Sequence, residues 1–324
     1  MPNHPPVRAW LALGAVCFFW GTTYLGIRVA LETLTPATLV ATRYLISGSV
    51  LLGAAFAIRV HIPQGREFWL TALFGCIILG IGNGALAFTE QWIPSGLAAM
   101  FVTTSPFWMV GLEAALPGGQ RLHGPTIGGM LVGLVGTLLL VAPGAIANGF
   151  NGPVWKGFVV LQLGCCAWSF GSILQRRHVT KAHPVVSGAV QQLATGIVYI
   201  PVAFLIHHAP VHWTWRGVSA VAYLVVFGSL IGYSAYIYAL EHLPVSAVTL
   251  YNYVNPVVAV VLGYLFYREK FGLIEVAGML VIFAGVALVK RYGARAAPEA
   301  DLVLDTLEPA TVPPQRSGVD RETR

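Results

Sequence analysis

Charged side chains are scarce in this chain. Asp, Glu, Lys and Arg make up 10% of its 324 residues, whereas soluble domains carry about 25%. The hydrophobic fraction is 56%, and the mean hydropathy is +0.72. A chain with so few charges cannot cover a surface that faces water, so the composition predicts a polytopic membrane protein.

Groups that carry enzyme chemistry are also lacking. No histidine lies in the middle of an apolar stretch, and no glycine-rich nucleotide loop is present. All four cysteines fall inside apolar stretches without metal-ligand spacing, so we predict packed side chains rather than disulfides or ligands. The net charge of +6 comes without a long basic cluster, which argues against nucleic-acid binding. We therefore predict no enzyme activity, no cofactor, no metal and no nucleic-acid partner.

Apolar stretches long enough to cross a bilayer recur along the chain. A span needs about 20 mostly apolar residues, and proline or tryptophan marks most of the boundaries. The chain is predicted to be all-α with ten transmembrane helices, at 9–29, 37–58, 68–88, 94–114, 125–142, 154–174, 185–206, 217–239, 244–266 and 274–290. Residues 294–324 are rich in proline and charge, which predicts a disordered cytoplasmic tail.

Lysine and arginine are unevenly divided between the two sides of the membrane. With the N-terminus inside, ten fall on the cytoplasmic side and five on the other, leaving out Arg43 in a span and three arginines of the tail. Because cytoplasmic loops carry the excess of positive charge, this count favours both termini in the cytoplasm. The loop with Arg268 and Lys270, placed outside, runs against the bias.

The two halves of the chain repeat each other at a nearly constant spacing. Pairs of like residues 148 to 150 positions apart are Cys17 and Cys165, Pro36 and Pro184, Gly129 and Gly278, Pro94 and Pro244, and Pro106 and Pro256. This spacing predicts duplication of a five-span unit, with repeats at 9–142 and 154–290. Since five is odd, the second copy enters the membrane from the opposite side. The prediction is two inverted five-helix repeats, an architecture of many secondary transporters.

Prolines inside two of the spans predict helix interruptions. Pro106 and Pro256 hold equivalent places in the fourth and ninth spans. Hydrocarbon offers no water to bond freed carbonyls or bare amides, so such spans either line a wet cavity or bury these groups against other helices. Thr103 in the first copy, with Tyr253 and Asn255 in the second, are candidates for substrate contact. Interhelical hydrogen bonding is the alternative.

Ionisable residues at membrane depth are candidates for function because their burial is costly. Arg43 either reaches the interface or turns inward to attract an anionic group such as a substrate carboxylate. Its partner in the second repeat is Gln191, another candidate for substrate contact. Glu113, near the cytoplasmic end of the fourth span, is either an interface carboxylate or a proton-coupling site. Protons are therefore a candidate coupling ion.

Aromatic and amide side chains complete the predicted substrate site. They are Trp20, Tyr24, Asn83, Trp168, Tyr233 and Tyr236. Trp20 and Tyr24 share one face of the first span, and such rings either pack between helices or wall a cavity that holds an amino group by cation–π contact. Asn83 stands between two glycines and needs a partner in a cavity or on another helix.

These motifs together resemble a known family. They are Trp20-Gly21-Thr22-Thr23-Tyr24, Arg43-Tyr44, Gly82-Asn83-Gly84, Pro94-Ser95-Gly96-Leu97-Ala98-Ala99 and Tyr253-Val254-Asn255-Pro256-Val257-Val258-Ala259. From about residue 9 to 291 the chain resembles the EamA-type members of the drug/metabolite transporter superfamily. The resemblance implies a ten-helix carrier in the bacterial cytoplasmic membrane that exports amino acids or other small metabolites. The family often has an acidic residue after its fourth and ninth spans; Glu269 fits the second place, but Gln120 stands at the first.

The predicted function is secondary transport by alternating access, with a small zwitterionic or weakly anionic metabolite as substrate. A carrier or flippase for phosphorylated or lipid-linked substrates is the alternative, although these substrates call for more than one buried cation. The expected partners are the lipid bilayer and a small-molecule substrate. The glycine pair Gly129 and Gly133 allows close helix contact within the chain or between two copies, so both a monomer and a homodimer are compatible with the sequence.

Overall fold

The computed structural model describes residues 7–119, 124–148, 152–178, 182–206, 212–243, 248 and 251–293. These residues form helices and short connections, and none of them belongs to a β-strand. The helices are α1 (Val7–Ala30), α2 (Pro36–Ala57), α3 (Gly65–Thr89), α4 (Ser95–Ala115), α5 (Gly124–Asn148), α6 (Pro153–Arg177), α7 (Pro184–Leu205), α8 (Trp215–His242), α9 (Tyr251–Tyr267) and α10 (Leu273–Gly293). The predicted tail, 294–324, lies outside the described residues.

Seven of these helices, α1 to α4 and α6 to α8, are long and apolar enough to cross a membrane. The other three contain shorter apolar stretches, Gly124–Leu140, Val254–Tyr267 and Leu273–Leu288. Large apolar side chains such as Leu134, Leu138 and Phe204 are exposed, which suits contact with lipid. The prediction of an all-α membrane protein with many apolar helices is confirmed, and the number of ten spans stays a prediction.

Prolines and capping side chains begin the second helix of each half. Pro36 lies in the first turn of α2, where Thr35 is the N-cap and accepts a backbone hydrogen bond. Pro184 holds the same place in α7, with His183 as the N-cap. Proline is favoured there because its missing N–H would have no partner inside the helix. The two prolines that share the repeat spacing thus begin equivalent helices.

Both third helices of the repeats contain a π-helical segment. In α3 this segment covers Cys76–Asn83, and in α8 it covers Leu224–Tyr233. The segments begin 148 residues apart and end 150 residues apart, so they reproduce the spacing of the repeat. π-helical turns are rare in proteins, and those that occur are often found at functional sites.

Helix α4 is interrupted at Thr103 and Thr104, between the segments Ser95–Val102 and Ser105–Ala115. Pro106 lies in the first turn of the second segment. The Thr103 hydroxyl donates to the carbonyl of Met100 at 2.5 Å. The buried hydroxyl at the interruption is therefore satisfied within its own helix.

Helix α9 is not interrupted. It runs from Tyr251 to Tyr267 through Pro256, so the break expected at this proline is absent. A proline inside a helix removes one hydrogen bond, here to the carbonyl of Asn252, and the turns on either side stay helical. The two equivalent prolines therefore have different effects on their helices.

The main helix contacts are symmetric between the two halves: each has an equivalent made by the corresponding helix of the other half. Helix α2 packs along α7, and α5 packs along α10. Helix α1 packs against α8 and α9, and α6 makes the corresponding contacts with α3 and α4. Glycines let α5 and α10 approach closely, because a Cβ added to Gly136 would lie 2.7 Å from the carbonyl oxygen of Gly278. Gly136 of α5 thus serves packing within one chain.

Candidate functional site

A cavity lies between helices from both halves of the chain. Its lining comes from α1, α2, α3, α4, α6, α8 and α9. Seven of the residues predicted from the sequence line it: Trp20, Tyr24, Arg43, Asn83, Trp168, Tyr233 and Asn255. The cavity volume is about 70 Å³, room for roughly five water molecules if each needs ~10–15 Å³. A substrate larger than this requires the cavity to widen.

Arg43 faces the cavity instead of reaching the membrane interface. It is 5% exposed, and its Nε donates to Ser229 Oγ at 2.8 Å. Its Nη1 lies 3.5 Å from Asn83 Oδ1, and its guanidinium carbon is 5.1 Å from the centre of the Tyr44 ring. No carboxylate in the described part of the chain lies within 4.0 Å of it. Arg43 is therefore a buried cation held by neutral groups.

Aromatic rings from both halves form a cluster at the cavity wall. The centre of the Trp20 ring lies 5.5 Å from that of Trp168, 5.0 Å from Tyr236 and 5.3 Å from Tyr251. The Trp20 Nε1 donates to the carbonyl of Gly228 at 3.0 Å. The Trp168 Nε1 is buried and has no hydrogen-bond partner among the described residues. One indole N–H is thus fixed to the fold, and the other remains an unsatisfied donor.

The remaining predicted residues of the substrate site lie elsewhere. Tyr236 packs behind the lining, with its hydroxyl 2.8 Å from Ser172 Oγ. Thr103 is buried in α4 and does not line the cavity, and Gln191 lines a different cavity. The side chain of Tyr253 lies outside the described residues.

Asn255 both lines the cavity and links two helices. With its amide nitrogen turned toward the nearby carbonyls, it donates to Cys17 at 2.9 Å and to Tyr251 at 3.2 Å. Cys17 is on α1, so this amide connects α9 with α1. Asn255 thus makes the interhelical hydrogen bond and also lines the cavity, while its contact with substrate stays a prediction.

A second cavity, of about 290 Å³, lies near the ends of α3, α6, α7 and α8. Gln191 lines this cavity, whereas Tyr233 lines the first one. The Tyr233 hydroxyl donates to Gln191 Oε1 at 2.6 Å, and both side chains are buried. This hydrogen bond therefore stands between the two cavities.

The first half contains the equivalent pair. Arg43 precedes Gln191 by 148 residues, and Asn83 precedes Tyr233 by 150. Both contacts join the second helix of a half to the end of the π-helical segment in its third helix. They differ in length, because the Arg43 contact measures 3.5 Å and the Gln191 contact 2.6 Å. One of the two equivalent contacts is tight and the other is loose.

Replacing Tyr233 by Phe should make the first cavity more accessible from the second. The substitution removes the hydroxyl and keeps the ring. Because a buried hydrogen bond contributes about 1 kcal/mol, we expect a thiol in the wall of the first cavity to be alkylated roughly five-fold faster. Cys165 lines the first cavity. In a protein with the other cysteines replaced by Ser, its alkylation by a small polar thiol reagent measures this rate.

Tyr236→Phe is the matched control for that experiment. It also removes a buried tyrosine hydroxyl, but this hydroxyl bonds Ser172 and does not stand between the cavities. An equal acceleration in both variants, or none in Tyr233→Phe, would contradict a barrier made by Tyr233 and Gln191.

Sequence reasoning missed Glu90, the residue that follows α3. Glu90 is 0% exposed, and both of its carboxyl oxygens lack a hydrogen-bond partner in the part of the chain that the structure covers. An acidic residue just after a span resembles an ordinary interface residue, so no sequence signal distinguished it. Glu113, predicted to be either an interface carboxylate or a proton-coupling site, lies at the surface, 2.7 Å from Arg177 in an ion pair with 43% of its side chain exposed.

Glu269 connects the two halves near Glu90. Its carboxylate accepts hydrogen bonds from Ser95 N at 3.0 Å, Ser95 Oγ at 2.9 Å and Gly96 N at 3.1 Å. These N–H groups begin α4, and a carboxylate there is favoured by the helix dipole. The acidic residue expected after the ninth span thus caps a helix of the other half. Its equivalent, Gln120, lies outside the described residues.

The fold and the cavity are those of a membrane transporter, with apolar helices from two similar halves around a small polar and aromatic chamber. The chain belongs to the EamA-like transporter family, whose family model matches residues 8–142 and 155–291. Members of this family are transporters and not enzymes. The match covers both halves separately, which agrees with the internal repeat.

Similar proteins come from bacteria and plants. The chain is 33% identical over 281 residues to the uncharacterized inner membrane transporter YedA of Escherichia coli K12, covering 86% of this chain and 89% of that protein. It is 25% identical to the chloroplastic WAT1-related protein At3g02690 of Arabidopsis thaliana (86% and 69% covered). It is 26% identical to a probable terminal-alkyne amino-acid exporter of Streptantibioticus cattleyicolor (88% and 94% covered). A solved crystal structure with 22% identity superposes with a TM-score of 0.65 over 89% of this chain and 98% of the other, which shows a shared fold.

Proposed function

We propose that this protein is a secondary transporter that exports small amino-acid-like metabolites across the bacterial cytoplasmic membrane by alternating access. The observation that carries the proposal is Arg43, a buried guanidinium at the cavity without a carboxylate partner among the described residues. Burying an ion costs several kcal/mol unless it is compensated. The carboxylate of a substrate compensates it when the substrate binds.

The chemistry of the cavity suits a zwitterion. A guanidinium binds a carboxylate through two parallel N–H bonds, and the faces of Trp and Tyr rings attract an ammonium group. In the cavity, Arg43 supplies the guanidinium, and Trp20 and Trp168 supply the aromatic rings. A phosphorylated substrate calls for more than one cation, whereas Arg43 is the only Lys or Arg in the described lining. The relative from Streptantibioticus, described as an amino-acid exporter, supports the same substrate class.

We further propose that ten helices span the membrane as two inverted repeats, 9–142 and 154–290, with both termini in the cytoplasm. The exchangeable packing and the paired π-helical segments support the repeat. Arg43 and Gln191 are each the eighth residue of their helices, α2 and α7. These two helices begin on opposite sides of the membrane in the proposed topology. The Gln191 contact therefore lies toward the cytoplasm and the Arg43 contact toward the outside.

Alternating access follows from exchange between the two equivalent contacts. In an inverted repeat each half can adopt the conformation of the other, which converts an inward-facing state into an outward-facing one. The Tyr233–Gln191 contact is tight here and the Arg43–Asn83 contact is loose. Because Glu269 on Ser95 and Arg216 on Glu32 also hold the outer end shut, this state is closed on both sides. In the inward-facing state we expect the Tyr233–Gln191 contact to separate, while Arg43 leaves the substrate and closes on Asn83.

Transport by the purified protein in proteoliposomes tests the proposal. A panel of labelled amino acids is measured by exchange against the same unlabelled compound, with protein-free liposomes as the control, and a phosphate ester is included for the alternative substrate class. We expect exchange of at least one amino acid. The amino-acid proposal is lost if none of the panel moves, and exchange of the phosphate ester alone would favour the alternative.

A further inference from the structure

Glu90 is the most unusual ionisable group of the described chain. Its side chain is fully buried, and neither carboxyl oxygen has a hydrogen-bond partner among the described residues. A carboxylate buried in this way costs several kcal/mol, and a buried carboxyl usually avoids the cost by holding a proton. The geometry around Glu90 therefore favours the neutral acid.

The charged groups around Glu90 leave its carboxyl without a partner. Arg28, at the end of α1, donates from Nη1 to the backbone carbonyl of Glu90 at 2.7 Å, and no hydrogen bond joins it to the carboxyl. The Glu269 carboxyl group accepts hydrogen bonds from three donors at the start of α4. On α6, Lys156 lies 3.9 Å from the centre of the Trp92 ring. Among the described residues, Glu269 thus has donors for its carboxyl oxygens and Glu90 has none.

Burial raises the pKa of the Glu90 carboxyl well above its ordinary range, Arg28 acts against this shift, and the charge of Glu269 adds to it. Glu90 is the first residue beyond the span Gly65–Thr89. The raised pKa of Glu90 depends on the conformation, because the burial of Glu90 and its distance to Glu269 both change if this end of the cavity opens. In water a glutamate has a pKa of about 4.3.

Glu90 lies at a closed end of the cavity. Leu86, one turn before Glu90 on α3, and Tyr24, one turn before Arg28 on α1, both line the cavity. Contacts between the two halves hold this end shut, with Glu269 bound to the start of α4 and Arg216 Nε 3.0 Å from Glu32 Oε2. These contacts must separate before the end opens, and water then reaches Glu90.

We propose that Glu90 is a proton-binding site of this carrier, which holds a proton while its end of the cavity is closed and releases it when that end opens. On opening, the O–H bond of the carboxyl breaks, the proton passes to water on that side, and the carboxylate left behind pairs with Arg28. The inference rests on the proposed alternating access and adds proton linkage to it. In the proposed topology the proton exchanges with the outside.

The direction of the pH dependence follows from this linkage. The closed end binds more protons than the open end at any pH between the ordinary pKa of a glutamate, about 4.3, and the raised value in the closed state. Over that window a rise in pH favours opening, and a fall in pH favours closure. Above the raised pKa the closed state also loses its proton, and the dependence ends.

Infrared spectroscopy of the purified protein tests the site without any substrate. At neutral pH we expect a carbonyl stretching band from a protonated carboxyl in the wild type, and its loss in Glu90→Gln, which mimics the neutral acid in shape. Glu113→Gln is the matched control, because Glu113 is an exposed carboxylate paired with Arg177. Absence of the band from the wild type, or its persistence in Glu90→Gln, overturns the proposal.

Arg28→Gln provides a second variant if Glu90→Gln does not fold. Removing this cation takes away the partner of the ionised form, so the band should persist to higher pH than in the wild type. A band lost at lower pH would contradict the proposal.

The pH profile of exchange tests the link to transport. We expect exchange by the wild type and by Glu113→Gln to rise with pH, and exchange by Glu90→Gln to be insensitive to pH. A wild-type slope retained in Glu90→Gln overturns the linkage. Failure of all amino acids to exchange refutes the substrate proposal alone, since the infrared band still decides whether Glu90 holds a proton.

Discussion

Replacing Arg43 by Gln should lower the apparent affinity for a carboxylate-bearing substrate about 100-fold. The variant loses charge-assisted hydrogen bonds to the carboxylate, together worth roughly 3 kcal/mol. Glutamine is the residue at the equivalent place in the second half, where Gln191 is 1% exposed, so the fold should accept it. The concentration dependence of substrate exchange in proteoliposomes measures the change.

Two further variants make the Arg43 experiment specific. Arg43→Lys keeps the charge but loses the planar fork that binds a carboxylate through two bonds, so we expect an intermediate loss. Arg177→Gln removes an arginine from the ion pair with Glu113, which is partly exposed and contributes at most about 1 kcal/mol. We expect its affinity to match the wild type. Unchanged affinity in Arg43→Gln would remove Arg43 from the substrate site.

Replacing Gly136 by Leu should strongly destabilise the packing of α5 against α10. A Cβ at this position would lie 2.7 Å from the carbonyl oxygen of Gly278 and 2.7 Å from the backbone nitrogen of Ile282. Overpacking usually costs about 1–3 kcal/mol, and here the backbone itself is in the way, so we expect ~3 kcal/mol or more. Thermal unfolding of the purified protein in detergent measures the loss.

Gly128→Leu is the control on the same helix. A Cβ at Gly128 meets nothing within 4 Å, and both substitutions replace glycine with a better helix former. The difference between the two variants therefore isolates the contact with α10. Equal melting temperatures would show that the close approach of α5 and α10 does not stabilise the protein.

Two residues whose polarity is unusual for a span lie at the cavity. Arg43 and Asn83 stand out in an apolar sequence because hydrocarbon penalises their polar groups. The structure places both at the cavity, together with Trp20, Tyr24 and Trp168. Their role in binding substrate remains the proposal that the Arg43 variants test. Polar residues were informative here because a membrane span contains few of them.

The same reasoning could not predict the role of carboxyl groups at helix ends, because the surroundings of these groups decide it. Glu90 looks like an interface residue in the sequence, and the structure buries it completely. Glu113 is predicted to be either an interface carboxylate or a proton-coupling site, and the structure places it in a surface ion pair. Whether a carboxyl at a helix end meets water or protein depends on the neighbouring helices, which lie far away in the sequence.

The sequence by itself determined the class of protein and its duplicated plan. Apolar length, scarcity of charge and a spacing of 148 to 150 residues are properties of a single line of residues, so they can be read without a fold. The tertiary structure alone decided which polar groups meet. Arg43 bonds Ser229 186 positions away, Ser95 bonds Glu269 174 positions away, and Tyr233 bonds Gln191 on another helix. Such contacts depend on the rotation and depth of each helix, which side-chain packing between helices sets and hydropathy does not encode.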